Sequence, residues 1–383
     1  MTTKIHGESI KLSIIIACYN MKHCIDQCIE SIEKQMTDAM EIVIVDDGST
    51  DGLVEHLNAL AKQKKYIRPV FLEKRFGVSH ARNEGMEKAA GKYLHFVDAD
   101  DVVPPHAYEQ LLQIAEKENP DVITANYIFR SSTEKRIISY KGSTGMHRCL
   151  DNNNLSLWNK LFRKAFLQKH QLKLIKGMET AEDAMFVLQT LRKNPTIGYS
   201  DACLYVYNYE DQDVKRHRER DLKLAALENS LNVLRENFSP PFPSDSADEW
   251  RNAYINYLRF VYNNIWQKMH TTENRKNGFE QIRQTLRGIA SRNPECNLFL
   301  VENDICFQSI FPCDYVTFDS VEYAQFLIIR ALRAPAQICS PSAGSISGQF
   351  VLGCANGRIG MHTILQAARA WGGYKLRKMR HKA

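Results

Sequence analysis

Two nearly continuous apolar runs, "LSIIIA" at 12–17 and "EIVIVD" at 41–46, most constrain what this chain can fold into. A strand that is apolar on both faces belongs in the middle of a parallel sheet, because parallel crossovers lay helices over both sides. Between the two runs, Cys24, Ile25, Cys28, Ile29 and Ile32 form one helical stripe. Further β-rich runs follow: "PVFL" at 69–72, "KYLHFV" at 92–97 and "DVITANYIF" at 121–129. Helical stripes separate them, one of Leu53, Leu57 and Leu60 and another of Tyr108, Leu111, Leu112 and Ala115. The pattern predicts an α/β fold, a mainly parallel sheet flanked by helices.

After about residue 150 the pattern becomes mostly helical, with "LWNKLFRKAFLQ" (157–168), "AEDAMFVLQTL" (181–191) and a long helix around 219–237, broken by a strand-like "ACLYVYNY" (202–209). The proline- and serine-rich "NFSPPFPSDSADEW" (237–250) reads as a linker, and 334–350 as a long loop. A length of 383 residues suits two domains, or one with a large extension.

The net charge of +6 is unevenly placed. From Tyr323 onward there is no acidic residue and there are nine Lys or Arg, so the tail is +9 and the preceding part about −3. The end, "AWGGYKLRKMRHKA", mixes aromatics with basic residues. It reads either as a surface for anionic lipid headgroups or as a solvated terminus. The rest of the chain shows no basic stripe, so nucleic acid is not an expected partner. The ten cysteines show no CxxC spacing and read as reduced thiols of a cytoplasmic protein. No secretion signal and no 18-residue apolar window occur.

In an open α/β sheet, ligands bind beyond the carboxyl ends of the strands. Three polar motifs sit there: "ACYN" after the first strand, "DDGSTD" after the second and "DADD" after the fourth. Asp98 and Asp100 alternate on one side of a strand end, where two carboxylates can share a hard divalent cation. The alternative is that such acids merely close a strand, and for Asp101, followed by Pro104 and Pro105, that structural reading is kept. Asp47 can accept the N–H of a nucleobase while Asp46 serves the turn, with Ser49, Thr50 or Asp51 capping the next helix. No GxGxxG or GxxxxGK[ST] is present. Glu182 and Asp183 of "AEDAMF" offer a general base, or else place acid in the first turn of a helix.

Together "SIIIACYN", "EIVIVDDGSTD", "GVSHARNEGMEKAAGKYLHFVDADD", "LWNKLFRK" and "AEDAMF" resemble, in order and spacing, glycosyltransferase family 2 over roughly residues 10–235. The resemblance implies a GT-A (Rossmann-like) fold and an inverting, metal-dependent glycosyltransferase acting in bacterial polysaccharide assembly. It puts Ala17, Tyr19 and Asn20 in the nucleotide pocket, Asp47 on the base, and Arg82 near the nucleotide or its diphosphate. Asp98 is implied on ribose or metal, Asp100 on Mn2+ or Mg2+, and Asp183 as the base beside Glu182. "ACYN" departs from the commoner "PVYN" or "PTYN", which leaves the pocket lining less defined. The implied partners are a nucleotide-sugar donor, UDP-linked, and a glycan or lipid-linked acceptor of lipopolysaccharide or capsule, met at the inner face of the cytoplasmic membrane. The expected domains are a tail (1–9), the GT-A domain (10–235), a helical C-terminal domain (236–333) and a loop with the basic tail (334–383).

Trp158, with Asn159, is a candidate for stacking on an acceptor sugar, core packing being the rival reading. His80 and His95 read as structural, and Lys160 and Arg163 as solvated basic residues that could otherwise meet a phosphate. "YEDQDVKRHRERD" (209–221) could close over the donor through His217 or Arg218. A sugar nucleotidyltransferase would carry a Gly-rich basic signature where "ACYN" stands. A non-catalytic glycan or nucleotide binder would tend to lose one of Asp98, Asp100 and Asp183.

Overall fold

The computed structural model describes residues 4–5, 8–131, 134–140, 149, 155–178 and 181–209, with scattered positions between 230 and 284. The expected linker at 237–250, the loop at 334–350, the basic tail, and His217 and Arg218 lie outside the described residues. By compactness the chain divides into one unit of residues 1–230 and 242–268 and another of 231–241 and 269–383. In the second, the described Leu231, Val233 and Ile282 are buried. All elements named below belong to the first.

A short antiparallel pair, β1 (Lys4–Ile5) and β2 (Glu8–Ser9), precedes the sheet. The sheet strands are β3 (Leu12–Cys18), β4 (Met40–Asp46), β5 (Ile67–Phe71), β6 (Tyr93–Asp98), β7 (Val122–Ser131), β8 (Lys135–Ile138), β9 (Lys160–Arg163) and β10 (Ile197–Tyr209). They lie in the order β10-β7-β9-β6-β3-β4-β5, with β8 beside β7. The β6-β3-β4-β5 stretch is parallel, and β3 at its heart buries Ile14, Ile15 and Ile16 to 1% exposure or less. At roughly 1.5–3 kcal/mol for each fully buried aliphatic side chain, this short run anchors the core.

Helices α1 (Ile25–Glu33), α2 (Leu53–Gln63), α3 (Val78–Lys88) and α4 (Ala107–Lys117) follow β3, β4, β5 and β6. α1 buries Ile25, Cys28, Ile29 and Ile32, and α4 buries Tyr108, Leu111 and Ala115, as their stripes require. α3 lies close against the sheet: a Cβ on Gly85 would lie 2.4 Å from Ile15 Cγ2.

The expected helix over 157–168 is corrected. Residues Lys160–Arg163 form β9, antiparallel to both β6 and β7, and only then does α5 (Lys164–Lys169) begin. The spacing of Leu157, Leu161, Phe162 and Phe166 fits a helix. The gap between β6 and β7 instead offers two open strand edges, and pairing with both outweighs the local propensity. α6 (Glu182–Leu191) leads towards β10.

Candidate active site

Three loops leave the sheet at its carboxyl edge, after β3, β4 and β6, and the register aligns them: Cys18 pairs with Asp46 and Ala17 with Asp98. The first two loops are laced together. Asn20 adopts φ 54°, a left-handed conformation that asparagine tolerates. Its N–H donates to Ser49 Oγ and its Oδ1 accepts the Thr50 N–H, both at 2.8 Å. Of the three candidate caps, Asp51 serves the start of α2, accepting the Leu53 N–H at 3.2 Å and the Lys22 N–H at 3.0 Å.

Asp46 and Asp47 have different surroundings. Asp46 Oδ2 accepts the Ser49 N–H at 3.1 Å, while its buried Oδ1 has no hydrogen-bond partner. Asp47 accepts the N–H groups of Phe76 and Gly77, each at 2.8 Å, and so holds the 73–77 loop against the turn. Gly48, at φ 74°, lies beneath that loop, and a Cβ there would stand 2.6 Å from the Lys74 carbonyl carbon. Arg75 of the same loop covers the Tyr19 ring, 4.3 Å from its centroid. The sequence reading missed Arg75, since a basic residue in a polar loop gives no pattern that separates it from a solvated one.

The carboxylates at the end of β6 and at the head of α6 meet through Arg82. The Arg82 side chain is only 10% exposed; Nη2 donates to Asp98 Oδ1 and Nη1 to Glu182 Oε1, both at 2.8 Å. Two acids 84 positions apart thus share one guanidinium. α6 opens at Ala181, whose φ of 61° is strained for a residue with a Cβ. Asp183, next to Glu182, accepts the Ala184 N–H at 2.7 Å. Burial, then the negative charge of Glu182, push its carboxyl well above the usual range, against the opposing pull of Arg82.

Asp101 has a structural place, but not the expected one. It does not cap α4; it receives the Tyr205 hydroxyl at 2.8 Å and the Asn208 N–H at 3.1 Å, tying the loop after β6 to β10. Burial, and then the charge of Asp98, push its carboxyl up to about 7. The Tyr205 oxygen also accepts the Asp98 N–H at 3.2 Å, a contact that no local pattern along the chain announces.

Trp158 stacks on Tyr205 (4.6 Å between centroids) and Tyr207 (5.6 Å) and meets the edge of Tyr127. It remains partly exposed beside this aromatic cluster. His95 is structural: its ring nitrogens meet the Tyr108 hydroxyl at 2.9 Å and the Trp158 carbonyl at 2.7 Å, and burial pushes its pKa down to about 4, leaving it neutral. Lys160, expected as solvated, is fully buried, with Nζ donating to the Ser156 carbonyl and to Asn159 Oδ1. Its place in β9, between two strands, is what buries it. Arg163 pairs with Asp121.

For a metal, the donor set decides. Among the described residues no group of three or more His, Cys, Asp or Glu could hold an ion. Asp98, 38% exposed with one oxygen held by Arg82, and the exposed Asp100 offer hard oxygen ligands at the strand end. Two carboxylates fit a hard cation that takes its other ligands from water and phosphate, and they suit no soft metal. Among the described residues, no helix is long and apolar enough to cross a membrane.

Residues 13–186 match Glycosyl transferase family 2. An uncharacterized glycosyltransferase of Escherichia coli K12, YibD, is 31% identical over 59% of this chain and 69% of its own length. The poly(ribitol-phosphate) beta-N-acetylglucosaminyltransferase TarP of Staphylococcus aureus N315 is 27% identical over 54% of this chain and 65% of its own. Among solved structures, S. aureus TarS 1-349 in complex with UDP-GlcNAc superposes with a TM-score of 0.67 at 18% identity, covering 83% of this chain and 92% of that one. This last likeness places the fold among GT-A structures.

Proposed function

Because the chain belongs to glycosyl transferase family 2, we propose that it transfers a sugar, with inversion, from a UDP-sugar to a hydroxyl of a glycan or lipid-linked acceptor in bacterial surface polysaccharide assembly. The observation that carries the reading is the meeting, across one guanidinium, of the strand-end acid Asp98 with the pair Glu182–Asp183. A donor-binding end and a base are what displacement at an anomeric carbon requires on opposite faces of the sugar. The UDP-GlcNAc bound to TarS and the activity of TarP make UDP-GlcNAc the first donor to try.

In this reading Ala17, Tyr19 and Asn20 wall the nucleotide, and Asp47 accepts the base N–H. Asp98 and Asp100 would hold Mn2+ or Mg2+, which when bound supplies positive charge against the departing diphosphate. Asp183 takes the proton from the acceptor hydroxyl as its oxygen attacks. A carboxylate of raised pKa is suited to this, since a base works best when its pKa lies near the operating pH. Glu182 and Trp158 flank the acceptor side, where an indole face can stack on a sugar ring. The basic tail from 323 onward gives the enzyme a means of meeting anionic lipid headgroups.

The test is a panel of nucleotide sugars incubated with manganese or magnesium, following hydrolysis and transfer. Turnover of a UDP-sugar that is lost in Asp100→Ala and Asp183→Asn is the expected result. Failure to bind or turn over any nucleotide sugar would refute the reading.

A further inference from the structure

Arg82 and Asn83 sit side by side in α3, and each reaches the segment that leads into α6. Asn83 pairs with the backbone of Leu174 in both directions, donating to its carbonyl at 2.8 Å and accepting its N–H at 2.9 Å. Arg82 takes Glu182 at the head of α6 and, with its other terminal nitrogen, Asp98 at the end of β6. α3 itself has no slack, because Gly85 lies directly on Ile15.

We propose that Arg82 is a positioning residue that fixes the base relative to the donor end of the site, and that it makes no contact of its own with the donor diphosphate. This rests on the functional reading given above. The geometry supports it in two ways. Both terminal nitrogens of the guanidinium are engaged at 2.8 Å with carboxylates, and those two acids already oppose the single positive charge that would draw in a diphosphate. The planar fork also fixes the direction of both bonds at once, which a lysine cannot do. The pair therefore sets where Asp183 stands relative to the donor end of the site at Asp98, and misplacement of a reacting group by about 1 Å costs on the order of 10²-fold in rate.

The experiment compares Arg82→Lys, Glu182→Gln and the double variant with the unmodified protein. It measures kcat on the donor that the unmodified protein turns over, and the Kd for UDP by calorimetry, a readout independent of turnover. Expected are losses in kcat of about 10²-fold in each single variant, a UDP Kd within about threefold of the original, and a double variant no slower than the worse single one. A merely structural loss would lower active protein and binding together, and thermal melting reports it. A direct diphosphate contact would instead weaken UDP binding at least tenfold in Arg82→Lys, and that result, or kcat losses that multiply in the double variant, overturns the proposal. Should Arg82→Lys not fold, Glu182→Gln decides: unchanged kcat overturns the proposal and a fall at constant UDP affinity supports it. Absence of UDP binding and turnover in the unmodified protein would sink the functional reading instead.

Discussion

The two ends of the β3-β4-β6 sheet both bury acid, and they treat it in opposite ways. At the amino end, Glu41 stands opposite Ser13 in the register and is fully buried. It accepts the Ser13 hydroxyl at 2.6 Å, the Ala90 N–H at 2.5 Å and the Arg68 guanidinium at 2.7 Å, and Ser13 Oγ in turn accepts the Gly91 N–H at 2.8 Å. At the carboxyl end, Asp46 keeps an oxygen without a partner, Asp98 is partly open to solvent, and Asp183 is held where burial raises its pKa. The strained Ala181 lies at this end too. A carboxylate whose hydrogen bonds are complete serves structure, whereas one with spare capacity, held in place by neighbours, can exchange a proton or take a ligand.

The sharpest way to break this contrast is Asp183→Asn, which removes the proposed base and leaves the fold. Transfer is expected to slow by about 10²–10⁴-fold with an unchanged melting curve. At the other end, Glu41→Ala leaves the Ser13 hydroxyl and the Ala90 N–H without their acceptor, at roughly 1–3 kcal/mol each. Denaturant unfolding should therefore show a loss of about 2–6 kcal/mol, with kcat of the folded fraction retained. If Glu41→Ala abolished turnover without loss of stability, the division between the ends would be wrong.

A smaller effect concerns pH. Asp183 must be deprotonated to accept a proton, and its pKa is raised in the fold, so activity falls as pH drops through a value well above that of an ordinary aspartate, about 3.9. A kcat profile with its acidic limb near 4 would contradict the burial of this group. Smallest is Ala181→Gly, which relieves a positive φ and is expected to stabilise the protein by up to about 1 kcal/mol in thermal melts.

The parallel sheet was legible because its signal is periodic and local: apolar strands that alternate with helical stripes have few other ways to be buried. The edge on which the motifs gather followed from the same pattern, since each polar cluster directly follows a strand. β9 was not legible, because "KLFR" continues a helical spacing and becomes a strand only where two unpaired edges receive it. For the same reason Lys160 read as solvated and is buried.

The sequence by itself determined the family, the α/β layers and which acids stand at the carboxyl edge, because these depend on residue type and spacing along short stretches. Only the tertiary structure decided their partners: that Arg82 joins Asp98 to Glu182, that Asp47 holds the 73–77 loop, and that Tyr205 lies between Asp98 and Asp101. Those contacts join residues 16 to 107 positions apart, and hydrogen bonds and pKa values depend on distances of a few ångströms that no local pattern encodes.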